Sequence, residues 1–324
     1  MSSALAALYF AGGLVLLYLG GESLVSGAAA VGRRIGMTPL VAGLTIVAFA
    51  TSAPELAVCL QAAIDGEHGL ALGNVVGSNI CNLALVLGLT SLARPSELGA
   101  RFLRRDVPIM IASTVLVLIM LMDGELSRTE GGVLIAGIVA YLILEVRRAR
   151  ERRGRALGVL AEEPGKPPQA FLLSSLLLAG GLALLVWGGD LLVTGGVVIA
   201  SRLGVPAAVV GLSVAALGTS LPELATSIVA ARRGYGDMAV GNLVGSCIFN
   251  LLSILGITSF VIPLSRDAVT NIDLGVMFAV TLLVYPLMRI GKRIERWEGS
   301  LLVLIYVGYI SWLIGGSASR IAVG

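Results

Sequence analysis

Residues 43–56, GLTIVAFATSAPEL, return at 211–224 as GLSVAALGTSLPEL. Residues 73–88, GNVVGSNICNLALVLG, return at 241–256 as GNLVGSCIFNLLSILG. Eight of 14 positions agree in the first pair and ten of 16 in the second, at a constant offset of 168. The offset holds upstream, where Glu22 pairs with Asp190 and Gly36 with Gly204. A chain built this way is expected to fold as two homologous halves.

Each half holds five long apolar stretches. Helices are expected over roughly 4–31, 37–63, 70–91, 106–122 and 129–148, and again over roughly 170–199, 205–231, 238–262, 270–288 and 299–315. Composition decides their environment. Of the 324 residues 56% are hydrophobic and 13% charged, against about 25% charged in a soluble domain. So few charges cannot cover a water-soluble surface, and runs of about 20 apolar residues span a bilayer. The fold class is therefore an all-α polytopic membrane protein of ten transmembrane helices. The N-terminal stretch has no basic flank and is too long for a signal-peptide core, so it is taken as the first span, retained in the mature chain. Net charge is +3, and the placement of the charges argues against a nucleic-acid partner. The partner environment is lipid. Cys59, Cys81 and Cys247 lie in apolar stretches without a disulfide or zinc spacing, and His68 lies in a polar connection as a solvated side chain.

Five helices is an odd number, so the second half enters the membrane from the opposite side and the repeat is inverted. The organisation is 1–148 as the first repeat, 149–169 as a basic and then Pro-rich linker, and 170–324 as the second repeat. With the linker inside and both termini outside, 19 basic residues lie on the cytoplasmic side and four (Arg128, Arg202, Arg266, Arg320) outside. The excess of Lys and Arg on cytoplasmic connections selects this orientation, in the cell (plasma or inner) membrane.

Acids inside apolar spans are costly and mark function. Four of the 20 acidic residues fall well inside spans: Glu22, Glu55, Asp190 and Glu223. Glu55 and Glu223 each end a Thr-Ser-x-Pro-Glu segment. Pro54 and Pro222 lack an N–H and crowd the carbonyls of Ala50 and Gly218, so helices 2 and 7 are expected to break at the midplane. Freed carbonyls survive there only by lining a cavity or binding something. Thr51, Ser52, Thr219 and Ser220 add hydroxyls. Helices 3 and 8 contribute Ser78 with Asn82, and Ser246 with Asn250, each at i and i+4 on one face. Carbonyl, hydroxyl and carboxylate oxygens suit Ca2+ and Na+ rather than softer metals. Gly73, Gly77, Gly241 and Gly245 would let helices 3 and 8 close on helices 2 and 7. Glu22 and Asp190 follow Gly-Gly pairs and are assigned to structure or gating, with an ion path as the other reading.

These residues resemble the cation/calcium exchanger superfamily, and most closely its prokaryotic sodium/calcium exchanger branch. The resemblance covers nearly the whole chain: the two Thr-Ser-x-Pro-Glu segments, the two Gly-Asn-x-x-Gly-Ser segments, ten helices and a basic central linker. It implies that Glu55 and Glu223 bridge central cation sites, with backbone carbonyls of Thr51 and Thr219 on Ca2+. Flanking Na+ sites would use Ser52, Ser78, Ser220 and Ser246 with carbonyls near Ala48 and Ala216, and Asn82 and Asn250 would take the middle. Three departures stand out. Ala50 replaces a frequent Gly, Asn250 replaces a frequent Asp, and Cys247 occupies the position matching Asn79. Asn250 argues against a K+ requirement.

The implied function is a secondary antiporter exchanging Na+ for Ca2+ by alternating access, not an enzyme. Ca2+ and Na+ are cargo; no cofactor and no obligate protein partner is indicated. Two ionised glutamates carry −2, which one Ca2+ neutralises, while Na+ ions compete for the same oxygens. The family implies three Na+ per Ca2+, and hence net charge movement, with helices 1 and 6 moving against the other eight. The alternative is an H+/Ca2+ antiporter in which the same glutamates carry protons. A channel would need no counter-ion, and a paired-carboxylate protease would bring its acids together without cation-type ligands around them.

Overall fold

In a computed structural model, residues 1–96, 98–156, 171–202 and 207–321 are described, with backbone alone for 100–101, 149–156, 207–216 and 314–321. Counting each helix through any π-helical turn it contains, the described chain forms ten helices: α1 (Ser3–Ile35), α2 (Pro39–Ile64), α3 (His68–Ala93), α4 (Ala100–Met120), α5 (Arg128–Ala156), α6 (Phe171–Arg202), α7 (Ala207–Arg232), α8 (Gly236–Val261), α9 (Asn271–Arg289) and α10 (Arg296–Ile321). Eight of them are long and apolar enough to cross a membrane among the described residues. Two short strands, β1 (Glu125–Leu126) and β2 (Leu264–Ser265), pair antiparallel and tie the α4–α5 turn to the α8–α9 turn. The expected linker at 149–169 begins later than its composition indicated. Helix α5 runs on to Ala156, since Arg and Glu are good helix formers, and 157–170 lie outside the described residues.

Burial sorts the helices into a centre and a periphery. In their most apolar windows 78% of α3 and 83% of α8 is buried, against 28% of α1 and 22% of α6. At the centre, α8 closes on α2 through glycine. A Cβ on Gly241 would stand 2.8 Å from the Leu40 carbonyl, and one on Gly245 2.7 Å from that of Leu44. Gly43 faces back at Met238 in the same way. Large apolar side chains line the outside, among them Leu8, Leu14, Leu172, Leu176 and Trp187.

Helices α1 and α6 pack antiparallel along most of their length. Gly13, Gly20 and Gly27 on α1 recur every seven residues, and their equivalents at offset 168 are Gly181, Gly188 and Gly195 on α6. Gly13 lies against Gly188, Gly20 against Gly181, and Gly27 against Ser174, and Gly195 lies against Ala6. A seven-residue spacing keeps one helix face at the contact, and small residues let backbones meet. Because α1 and α6 are equivalent by sequence and run in opposite directions, the two halves are inverted. The connections agree: the Arg266 N–H donates to the Gly124 carbonyl at 2.9 Å, and its equivalent Leu98 N–H donates to the Lys292 carbonyl at 2.6 Å.

The helices do not break at their prolines. α2 is α-helical from Ala48 to Ile64 through Pro54, and α7 is helical through Pro222. Proline forfeits one bond, but its φ is already helical and surrounding helices hold the rest. The irregularity lies elsewhere, as π-helical turns over Gly43–Val47 in α2, Cys81–Val86 in α3 and Asn250–Ile254 in α8. The last two are equivalent by offset and contain Asn82 and Asn250. Such turns frequently mark functional sites.

The α1–α6 contact makes a direct test possible. An added Cβ at Gly13 would meet the Leu192 backbone nitrogen at 2.5 Å, whereas at Gly12 it meets nothing within 4 Å. Gly13→Ala is expected to cost about 1–3 kcal/mol as an overpacked contact and to lower the melting temperature of the purified protein in detergent. Gly12→Ala should leave it unchanged.

Candidate cation site

Pro54 and Pro222 sit one residue before the two carboxylates, so each Glu follows a carbonyl-freeing residue at the centre of the bundle. Glu55 and Glu223 are both 0% exposed. Neither forms an ion pair with a described Lys or Arg, and Ser52, three residues before Glu55, reaches Glu223 Oε1 at 3.5 Å. Two such charges buried without a countercharge are costly, and either a bound cation or protonation relieves them.

The hydroxyls and amides around them form a two-fold network. Thr51 Oγ1 lies 3.5 Å from Ser246 Oγ and donates to Asn242 Oδ1 at 3.4 Å. Its equivalent Thr219 Oγ1 lies 3.5 Å from Ser78 Oγ and donates to Asn74 Oδ1 at 3.4 Å. Each of these asparagines is braced from behind: Asn242 donates to Thr226 and Ser227, and Asn74 donates to Cys59 Sγ, the position equivalent to Ser227. The Gly-Asn dipeptide of each copy thus ties α3 to α7 and α8 to α2.

The symmetry fails at the carboxylates. Ser52 and Ser246 donate to Glu223 Oε1 at 3.5 and 3.4 Å. Both oxygens of Glu55 lack a hydrogen-bond partner, as do Ser220 Oγ, Glu223 Oε2, both amide atoms of Asn82 and Asn250 Oδ1. Buried polar atoms are nearly always paired. Seven orphans on five side chains of the two repeated motifs, out of twelve among the described residues, make these side chains candidate positions for a ligand. Six of the seven are oxygens, the donor class and approximate number that Ca2+ takes.

The other expected residues divide. Thr51, Ser52, Ser78, Ser220, Ser246, Asn82 and Asn250 are buried and Thr219 is half-buried, with Ser52 and Ser246 in direct contact with Glu223. Ala48 is buried against this cluster, and its carbonyl accepts from Thr51 at 3.5 Å. Ala216 lies in the stretch of α7 for which the backbone alone is described. Glu22 and Asp190 stand apart from the cluster and from each other's environment. Glu22 pairs with Arg233, which also donates to Ser26, so α1 is tied to the C-terminal end of α7. Asp190 is exposed.

Several site residues had weaker signals in the sequence. Asn74 and Asn242 stand inside the repeated Gly-Asn-x-x-Gly-Ser motif, but only their contacts reveal what they hold. Asp106 and Glu145 are buried, with Arg105 between them and Arg148 on Glu145. Their equivalents are Leu274 and Leu313, so no repeat pointed to them, and they belong to the α4–α5 contact rather than to the site.

Antiparallel repeats carrying a buried, oxygen-lined, uncompensated carboxylate pair define a secondary transporter of cations. A model of the sodium/calcium exchanger protein family matches residues 5–146 and again residues 173–315. The chain belongs to that family: it is a multi-pass membrane antiporter of the cation/Ca2+ class and not an enzyme. The sodium/calcium exchanger MaX1 of Methanosarcina acetivorans is 32% identical over 333 residues, covering 92% of this chain and 95% of that one. Inner membrane protein YrbG of Escherichia coli is 36% identical over 312 residues, 93% of each. The solved structure of the sodium-calcium exchanger NCX_Mj, soaked without Na+ and Ca2+, superposes with a TM-score of 0.81 at 30% identity, covering 96% of this chain and 100% of that one.

The brace behind each motif is separable from the cation chemistry. Asn242→Leu removes its bonds to Thr226 and Ser227 and the acceptor for Thr51, although each hydroxyl keeps a backbone carbonyl, and is expected to cost about 1–3 kcal/mol, read as a lower melting temperature in detergent without added cations.

Proposed function

We propose that this chain exchanges Na+ for Ca2+ by alternating access. The observation that carries the reading is the uncompensated buried pair Glu55 and Glu223, with unpaired buried polar atoms on both of them and on Ser220, Asn82 and Asn250 of the same repeated motifs. A net −2 matches one Ca2+. Na+ ions entering the flanking hydroxyls of Ser52, Ser78, Ser220 and Ser246, with carbonyls near Ala48 and Ala216, neutralise the same carboxylates. The two loads compete for shared ligands, and competition for one site makes an exchanger rather than a symporter. Thr51 and Thr219 contribute their carbonyls to Ca2+, and Asn82 and Asn250 complete the middle. With three Na+ per Ca2+ the cycle carries one net charge, so its rate depends on membrane potential.

In this reading the α1–α6 pair moves as a unit across the fixed site, as repeats do in inverted transporters. Glu22 and Arg233 act as a gate that holds α1 against α7 on one side. The basic excess supports a cytoplasmic linker at 149–169 between repeats 1–148 and 170–324, and termini outside.

The test is Ca2+ uptake by sodium-loaded proteoliposomes diluted into sodium-free buffer at equal pH. Uptake is expected to need the sodium gradient and to survive a protonophore. Uptake driven by an imposed pH gradient without sodium would overturn sodium coupling and make the glutamates proton carriers. Glu55→Gln and Glu223→Gln should each abolish uptake while the protein still inserts and elutes as a single species.

A further inference from the structure

The two central asparagines are equivalent by offset and unequal in fact. Asn82 is anchored at neither amide atom. Asn250 donates from Nδ2 to Asn79 Oδ1 at 3.3 Å and leaves Oδ1 free. The difference traces to one of the six mismatches between the two copies of the motif. Asn79 of α3 reaches across to Asn250, but its equivalent on α8 is Cys247, a small side chain with no amide to return to Asn82.

An amide has two unlike ends, and near a cation only the oxygen is useful. What fixes the end that Asn250 presents is traced outward. Asn79 Nδ2 stands 4.0 Å from Met277 Sδ on α9. A thioether can only accept, so the amide end of Asn79 that faces it is the NH2 group. Asn79 must then turn its oxygen to Asn250, and Asn250 must answer with its own NH2. The remaining atom, Oδ1, is buried and unpaired. Asn79 and Met277 are both about 1% exposed, so water does not compete for these bonds.

We infer that Asn79 is a positioning residue: held by Met277, it locks the Asn250 amide so that its oxygen faces the transported cation. The inference rests on the cation-exchange reading of the site. Asn82, lacking such a lock, can turn either end inward, its oxygen to a cation or its NH2 to a carboxylate. The Asn250 side of the site is thereby a fixed ligand and the Asn82 side an adaptable one.

Two measurements separate this inference from the exchange reading: equilibrium Ca2+ binding to purified protein by calorimetry, and KM and maximal rate of Ca2+ uptake by sodium-loaded proteoliposomes. Asn79→Leu should weaken Ca2+ binding and raise KM by about 10-fold or more, the usual effect of removing the group that orients a metal ligand, while the maximal rate stays within about 2-fold. Asn79→Gln keeps a neutral amide with an acceptor oxygen for Asn250 Nδ2 and should restore KM at least part of the way to wild type. Met277→Leu keeps the volume but frees the Asn79 amide to turn; it should move KM in the direction of Asn79→Leu, and it provides the reading if that variant does not fold. Wild-type affinity in both Asn79→Leu and Met277→Leu would overturn the inference, and so would equal losses in Asn79→Leu and Asn79→Gln. Wild-type protein that binds Ca2+ but takes it up without sodium would overturn sodium coupling alone, with the binding series still deciding the role of Asn79. Wild-type protein that binds no Ca2+ would overturn both.

Discussion

Two carboxylates without a countercharge lie at the centre of the bundle, and the architecture around them is arranged to make that tolerable. Moving an ionised carboxylate from water to a low-dielectric interior costs several kcal/mol even after relaxation. Here Glu55 and Glu223 are fully buried, so their charge must be met either by a proton or by a cation. This is why the surrounding polar atoms are left over. Any donor supplied by the protein to saturate Glu55 would compete with the cargo. The hydroxyls of Ser52 and Ser246 rest on Glu223 alone, and the opposite carboxylate stays available.

The remaining structure separates what must stay rigid from what must be free. Asn74 and Asn242 lash the four central helices together through hydroxyls, a thiol and glycine contacts. The α1–α6 pair is held mainly to itself, by glycines every seven residues, and is less buried than the centre. A pair cohesive within itself and lightly buried against the core is suited to move as one body. The Glu22–Arg233 ion pair is an added contact between that pair and α7, and it has no counterpart at Asp190, which is exposed. The two faces of the molecule are therefore not equivalent in this conformation, although the sequence halves are.

Much of this was legible in particular residues. The 168 offset placed Thr51, Ser52, Glu55, Ser78 and Asn82 opposite their partners before any coordinates, because a duplicated chain repeats its chemistry at fixed spacing. Most helix limits followed from the apolar stretches to within about four residues, but α4 begins six residues earlier than expected, α5 ends eight later and α10 six later. The prolines misled. Pro54 and Pro222 were expected to end helices, but a helical φ and close neighbours carry the helix through, and the π-helical turns fall at Asn82 and Asn250 instead. The seven-residue glycine pattern of α1 and α6 was present in the letters and passed unused, since Gly is common in membrane helices. Asp106 and Glu145 were hidden for another reason: they have no repeat partner, and their burial depends on how α4 meets α5.

By itself, then, the sequence determined the class of fold, the duplication and inversion, and which side chains are candidates for the chemistry. These follow from composition, from an odd number of spans in each half, and from the energetic rarity of charge in hydrocarbon. Only the tertiary structure decided how those side chains differ from one another. Glu223 is held and Glu55 is not; Asn250 is oriented by Asn79 and Met277, while Asn82 is unanchored. Symmetry in a sequence constrains which groups are equivalent, but a hydrogen bond needs a particular neighbour at about 3 Å, and that neighbour comes from helices distant along the chain.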